Sequence, residues 1–114
     1  MTIFEKYNLE VIKENESIYL ITHTKENRIL SYFLDYWNRS DEIIDDFLPE
    51  LDPVIEGELQ YNDIGADVIG SAYFEREKTE FTSSELGFDD LEIPTNDFKE
   101  LIMEWLSVLE KEGY

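Results

Sequence analysis

The sequence predicts an α+β fold, an antiparallel β-sheet built from two meanders and packed against a C-terminal amphipathic helix and a shorter central helix. Three observations carry this. Leu91 to Glu112 places Phe98, Leu101, Ile102, Trp105, Leu106 and Leu109 at helical spacing, with Lys99, Glu100, Glu104, Ser107, Glu110 and Lys111 on the opposite face. Residues 41–51 show a shorter run of the same periodicity. Residues 1–24 and 54–83 alternate apolar and polar side chains between turn residues, the pattern of half-buried strands.

In chain order, Tyr7, Leu9 and Val11 alternate with Asn8 and Glu10 as a first strand, Lys13-Glu14-Asn15-Glu16 is a polar turn, and Ser17 to Thr22 is the partner strand, rich in β-branched and aromatic residues. Thr24-Lys25-Glu26-Asn27 is a second turn. Residues 28–37, RILSYFLDYW, fit two descriptions. Ile29, Leu30, Phe33, Leu34 and Trp37 make a helix face, whereas Leu30, Tyr32, Leu34 and Tyr36 make a strand face. The aromatic content leads us to expect a third strand that extends the hairpin. Residues 41–51 then form a short helix with Ser40 as N-cap and Asp41-Glu42 in the first turn. Its buried stripe is Ile43, Ile44, Phe47, Leu48 and Leu51, and Asp52-Pro53 ends it.

In the second meander Ile55, Gly57, Leu59 and Tyr61 share a face, and Asn62 to Gly65 carries turn residues. Val68 to Phe74 is the next strand, with Gly70 a bulge or point of close approach; Glu75 to Lys78 turns into a short strand over Thr79–Thr82. Ser83 to Asp90 is loop. Pro94-Thr95 stops the preceding segment and caps the last helix, Asp97 loads its first turn with negative charge, and Gly113 ends it.

At 114 residues, 42% hydrophobic and 14% aromatic, the chain is expected to fold as one domain, residues 1–114, around one core. It has no cysteine, which fits a reducing cytoplasm. The first sixteen residues lack the basic-then-apolar order of a secretory signal, and no uncharged apolar run has the length of a membrane span. Cytoplasmic localisation is the expectation.

Charge is the most unusual property. Twenty-eight acids against nine bases give a net charge of −19, which argues against nucleic acid and anionic membranes as partners and towards basic proteins. The excess is uneven: residues 41–67 hold ten acids and no base, while residues 1–40 net only −1. Glu42, Asp45 and Asp46 sit three and four apart on a helix and repel one another. With Glu50, Asp52, Glu56 and Glu58 they form a candidate docking surface for a basic partner, and Asp89-Asp90 is a second patch. An acidic face also simply keeps a small protein soluble, so charge alone leaves that alternative open.

No catalytic constellation stands beside this charge. His23 is the lone histidine, without a serine or acidic partner near it in sequence. The spacing around Asp35, Asp41 and Asp63 is not that of a calcium loop, and no phosphate-binding or nucleophile-elbow glycine motif is present. The expectation is a non-enzymatic protein with no cofactor and no metal site.

Two features carry a family resemblance: the segment Glu92-Ile93-Pro94-Thr95-Asn96-Asp97-Phe98 leading into a last amphipathic helix through Leu101, Trp105 and Leu106, and the closing Glu110-Lys111-Glu112. With the acidic middle, they make the chain similar to bacterial immunity proteins, the small cytoplasmic inhibitors paired with polymorphic or contact-dependent growth-inhibition toxins. The resemblance covers about a fifth of the chain. It implies a role, one-to-one binding of a cognate toxin C-terminal domain, and nucleases with basic clefts are toxins whose charge would match. No residue roles transfer with it. The alternative from another class is an acidic nucleic-acid mimic or regulatory adaptor that binds a basic host protein. Carboxylates at regular, phosphate-like spacing would favour mimicry and a localised patch would favour immunity.

Overall fold

The computed structural model describes residues 1–114 and bears out the α+β architecture. A short helix α1 (Ile3–Lys6) precedes the hairpin β1 (Leu9–Glu14) and β2 (Ser17–Thr22), a two-stranded antiparallel sheet. The turn closes on Asn15 at φ +55°, a left-handed conformation that asparagine tolerates better than most residues.

Residues 28–37 are not the expected third strand. Arg28–Tyr36 form helix α2, led in by a 3₁₀ turn at Lys25–Asn27. Ile29, Leu30, Phe33 and Leu34 are buried, while Tyr32 and Tyr36 are half exposed. Burial therefore follows the helical period, and a strand would have split this apolar set between its two faces. The hairpin edge that a third strand would have paired with is used differently. Asp35 Oδ1 accepts the Leu20 N–H at 2.6 Å, and Ser31 Oγ donates to the Leu20 carbonyl at 3.1 Å. Helix α2 thus satisfies both groups of Leu20 through side chains.

The central helix is longer than expected. Helix α3 (Ser40–Glu42), a π-helical turn (Ile43–Phe47) and helix α4 (Leu48–Ile55) run without a break. Asp52-Pro53 does not end it. The π turn explains how Pro49 fits: in a regular α-helix its ring would meet the Asp45 carbonyl, and widening the turn just before it moves that carbonyl aside. The same extra residue keeps Ile43, Phe47, Leu51 and Val54 on one fully buried line and turns Ile44 outward, so Ile44 does not belong to the buried stripe. Ile55, Gly57 and Leu59 are the end of this helix and its exit turn, not a strand face.

A four-stranded antiparallel meander follows: β3 (Tyr61–Gly65), β4 (Ser71–Glu75), β5 (Lys78–Thr82) and β6 (Leu91–Pro94), in that spatial order. Asn62 to Gly65, expected as a turn, lies within β3, and β4 starts three residues later than expected. Val68 bridges to Ala66 in a tight loop, and Gly70 at φ +140° leaves that loop where a Cβ would lie 2.7 Å from the Thr82 carbonyl oxygen. The start of the C-terminal stretch, Leu91–Pro94, is an edge strand. Helix α5 (Thr95–Lys111) follows at once. Thr95 is its first residue and does not cap it; the hydroxyl is buried, donating to the Glu75 carbonyl at 2.6 Å and meeting Thr79 Oγ1 at 2.9 Å. At the other end Gly113 has φ +83°, and the Tyr114 and Gly113 N–H groups donate to the Leu109 and Glu110 carbonyls, a Schellman close.

Helices α2, α4 and α5 cover the inner face of the meander. The core centres on Phe98 of α5, whose ring lies between 5.4 and 6.1 Å from those of Phe33, Phe47, Phe74 and Phe81. Trp105 is fully buried and its indole N–H donates to the Trp37 carbonyl at 2.8 Å. The outer face of the meander carries no helix.

Candidate docking surface

The sequence nominated nine carboxylates, and the fold distributes them over five places. Glu42, Asp45 and Asp46 ride on α3 and the π turn, and both aspartates point to solvent beside the half-exposed Ile44. Glu50 faces β3, where its carboxylate accepts the Asn62 side-chain amide at 2.7 Å. Asp52 turns towards α5 and pairs with Lys99. Glu56 and Glu58 are exposed in the turn after α4; a Cβ added at Gly57 between them would lie 3.8 Å from Arg76 Nη1, so a guanidinium reaches this turn. Asp89 and Asp90 are exposed just ahead of β6.

Of the nine, Asp52 is the one in an ion pair. The other eight nominated carboxylates make no ion pair. Asp41, next to the set, is partly neutralised by Arg39 at 3.3 Å, but both side chains are well exposed and the pair is worth little. The arrangement offers a basic surface one half-exposed apolar side chain, Ile44, with two unpaired carboxylates next to it in sequence. Such a pairing provides both steering and a desolvated centre.

Two carboxylates outside the nominated set have shifted proton affinities. Asp35 lies in a groove between β2 and α2, lined also by Arg28, Ser31, Tyr32 and Asn38. Burial pushes its carboxyl up to about 7, against the opposing hydrogen bond from Leu20 N–H. For Asp97, burial alone would raise the carboxyl, but hydrogen bonds from Lys6 and Tyr7 and the charge of Lys6 outweigh it and hold it below the usual range. Asp97 thereby ties α1 and the segment before β1 to the first turn of α5; it is a structural fastening. Burial, reinforced by Asp97, pushes the Tyr7 hydroxyl upward in turn.

His23 stands at the surface with Nε2 3.5 Å from Glu10 Oε2, both side chains mostly exposed. No set of three or more His, Cys, Asp or Glu side chains is placed to hold a metal ion. No helix is long and apolar enough to cross a membrane.

A further surface escaped the sequence reading. On the outer face of the meander, a concavity of about 260 Å³ is lined by Tyr61, Tyr73, Glu75, Lys78, Glu80 and Glu92. The signal was available as two-residue alternation in Tyr61-Asn62-Asp63, Tyr73-Phe74-Glu75 and Lys78-Thr79-Glu80. It was obscured because Asn62 to Gly65 read as a turn where β3 in fact runs, and the next strand was expected from Val68 where β4 starts at Ser71. No protein-family model matches the chain, and no curated protein or solved structure matches it either.

Proposed function

We propose that this chain is a non-catalytic immunity protein, which neutralises a cognate bacterial toxin domain by forming a one-to-one complex through its acidic surface. The observation that supports the reading is the π turn of the central helix, which leaves Ile44, Asp45 and Asp46 exposed in succession, the two carboxylates without an ion pair. A protein of net charge −19 that leaves these groups unpaired is complementary to a basic cleft, and a nuclease toxin carries one because it must hold phosphates. Steered encounter at low ionic strength would speed capture of the toxin before it reaches its substrate.

The test is to co-produce the chain with the protein encoded immediately upstream in its genome. The reading expects the neighbour's C-terminal domain to be basic, to arrest growth when made alone, and to co-elute with this chain at equimolar ratio. A harmless neighbour, or a toxic one that this chain neither binds nor neutralises, overturns it.

A further inference from the structure

The outer face of the four-stranded sheet is covered by nothing in the molecule. Its strand register builds an ordered row. Asp63 stands opposite Tyr73, Tyr73 opposite Glu80, and Glu80 opposite Glu92, so four side chains line up across all four strands. At about 4.8 Å between strands the row spans roughly 14 Å. In the next row Tyr61 stands opposite Glu75.

Two properties distinguish this face from an ordinary solvated one. Glu80 and Glu92 are direct cross-strand partners of like charge, a pairing that destabilises a sheet. Lys78 is the base that lines the concavity, but its ammonium is 3.9 Å from Glu92 with both side chains more than half exposed, so it relieves little. The face also exposes two tyrosines, Tyr61 at 74% and Tyr73 at 44%. Tyrosine is a residue type that anchors protein interfaces.

The concavity between them is a shallow surface depression of about 260 Å³, open to water on one side. It suits one long side chain. Aromatic faces beside carboxylates favour a guanidinium over an ammonium: the planar group stacks on the ring, forms paired hydrogen bonds to a carboxylate, and gives up its hydration more readily.

We infer that this sheet face is the anchoring surface for the basic partner, with an arginine of that partner seated on Tyr61 and Tyr73 and bonded by the flanking glutamates. This deepens the immunity reading and rests on it for the identity of the partner, though not for the chemistry of the site. Asn62 of edge strand β3 turns to the helix side of the sheet, opposite Phe74, and bonds the Glu50 carboxylate of α4 there, so a partner on the outer face reaches the helix only around that edge.

The experiment titrates the full chain, labelled with ¹⁵N, with acetylated tetra-arginine and separately with tetra-lysine at 150 mM salt. The expected result is saturable amide shifts concentrated on residues 61–63, 73–80 and 92, with tetra-arginine binding at least fivefold tighter. In the double variant Tyr61→Ala/Tyr73→Ala, binding should weaken about tenfold while the core resonances stay in place. Shifts spread over every acidic segment or centred on Asp45 and Asp46, equal binding of the two peptides, or a double variant that binds like the parent each overturn the inference. The two readings fail separately. Tetra-arginine binding at this face with no capture of the upstream-encoded protein sinks immunity alone. Capture of that protein with unchanged affinity in the double variant sinks the sheet-face anchor alone.

Discussion

Replacing Asp35 with asparagine should change how stability depends on pH, and the sign follows from the groove between β2 and α2. Burial raises the carboxyl from its ordinary 3.8 to about 7, so the folded protein holds this proton more tightly than the unfolded chain does. Asp35 therefore contributes its full stability below about pH 4 and loses it progressively as the pH climbs to about 7. Asparagine never ionises, and its amide oxygen still accepts the Leu20 N–H. Between pH 5 and pH 8 the linkage has a ceiling of about 3 kcal/mol. The groove is open to water along one side, and halving for that screening leaves about 1.5 kcal/mol. The assay is urea unfolding of parent and Asp35→Asn at both pH values, followed by far-ultraviolet circular dichroism. Using the difference between the proteins cancels the general repulsion of the other carboxylates. The gap should move in favour of the asparagine variant at pH 8 relative to pH 5. A constant gap, or one moving the other way, would refute the account of Asp35 as a carboxyl held neutral by burial.

Phe98→Ala should cost about 3–5 kcal/mol, because it removes the ring shared by four other phenylalanines; a loss under about 2 kcal/mol on denaturant unfolding would mean that the cluster repacks. The buried threonine pair should respond unequally. Thr95→Val leaves both the Glu75 carbonyl and the Thr79 hydroxyl without a partner and should cost about 1–3 kcal/mol. Thr79→Val removes only a donor to Thr95 and should cost less than that; the reverse order in thermal or urea unfolding would contradict the assigned proton direction. Charge reversal at Asp45 and Asp46 together should slow association with the partner and flatten its salt dependence without changing stability, as read by stopped-flow at several ionic strengths. An unchanged on-rate removes the π turn from the interface.

The parts of the fold legible in the sequence were those where local chemistry and burial agree. The C-terminal helix was visible because Phe98 to Leu109 keeps one apolar face and Gly113 closes it; the hairpin was visible because a polar turn separates two runs of β-branched and aromatic residues. Residues 28–37 were misread because their aromatic content favours a strand, whereas the arrangement that buries Ile29, Leu30, Phe33 and Leu34 together is a helix. Propensity gave way to packing. Asp52-Pro53 looked like a terminator because proline lacks an N–H and crowds the carbonyl four residues back, yet the helix runs on to Ile55. For the candidate surface, composition located the charge but not its direction. Nothing in the sequence near Asp52 announces Lys99, and the row from Asp63 to Glu92 exists only once three strand registers are set.

Every strand pairing in this molecule joins neighbours in sequence: β1 with β2, β3 with β4, β4 with β5, and β5 with β6. Contacts of this local kind close short loops and form quickly. The helix that seals the inner face of the meander, α5, is the last of these elements to be synthesised. The inner-face residues Phe74, Phe81 and Ile93 therefore gain part of their cover only when α5 docks Phe98, Leu101 and Trp105 onto a sheet that local pairings can form on their own. Trp105 lies on this helix and is fully buried in the finished fold, so in a Trp37→Phe variant its fluorescence reports the docking of α5.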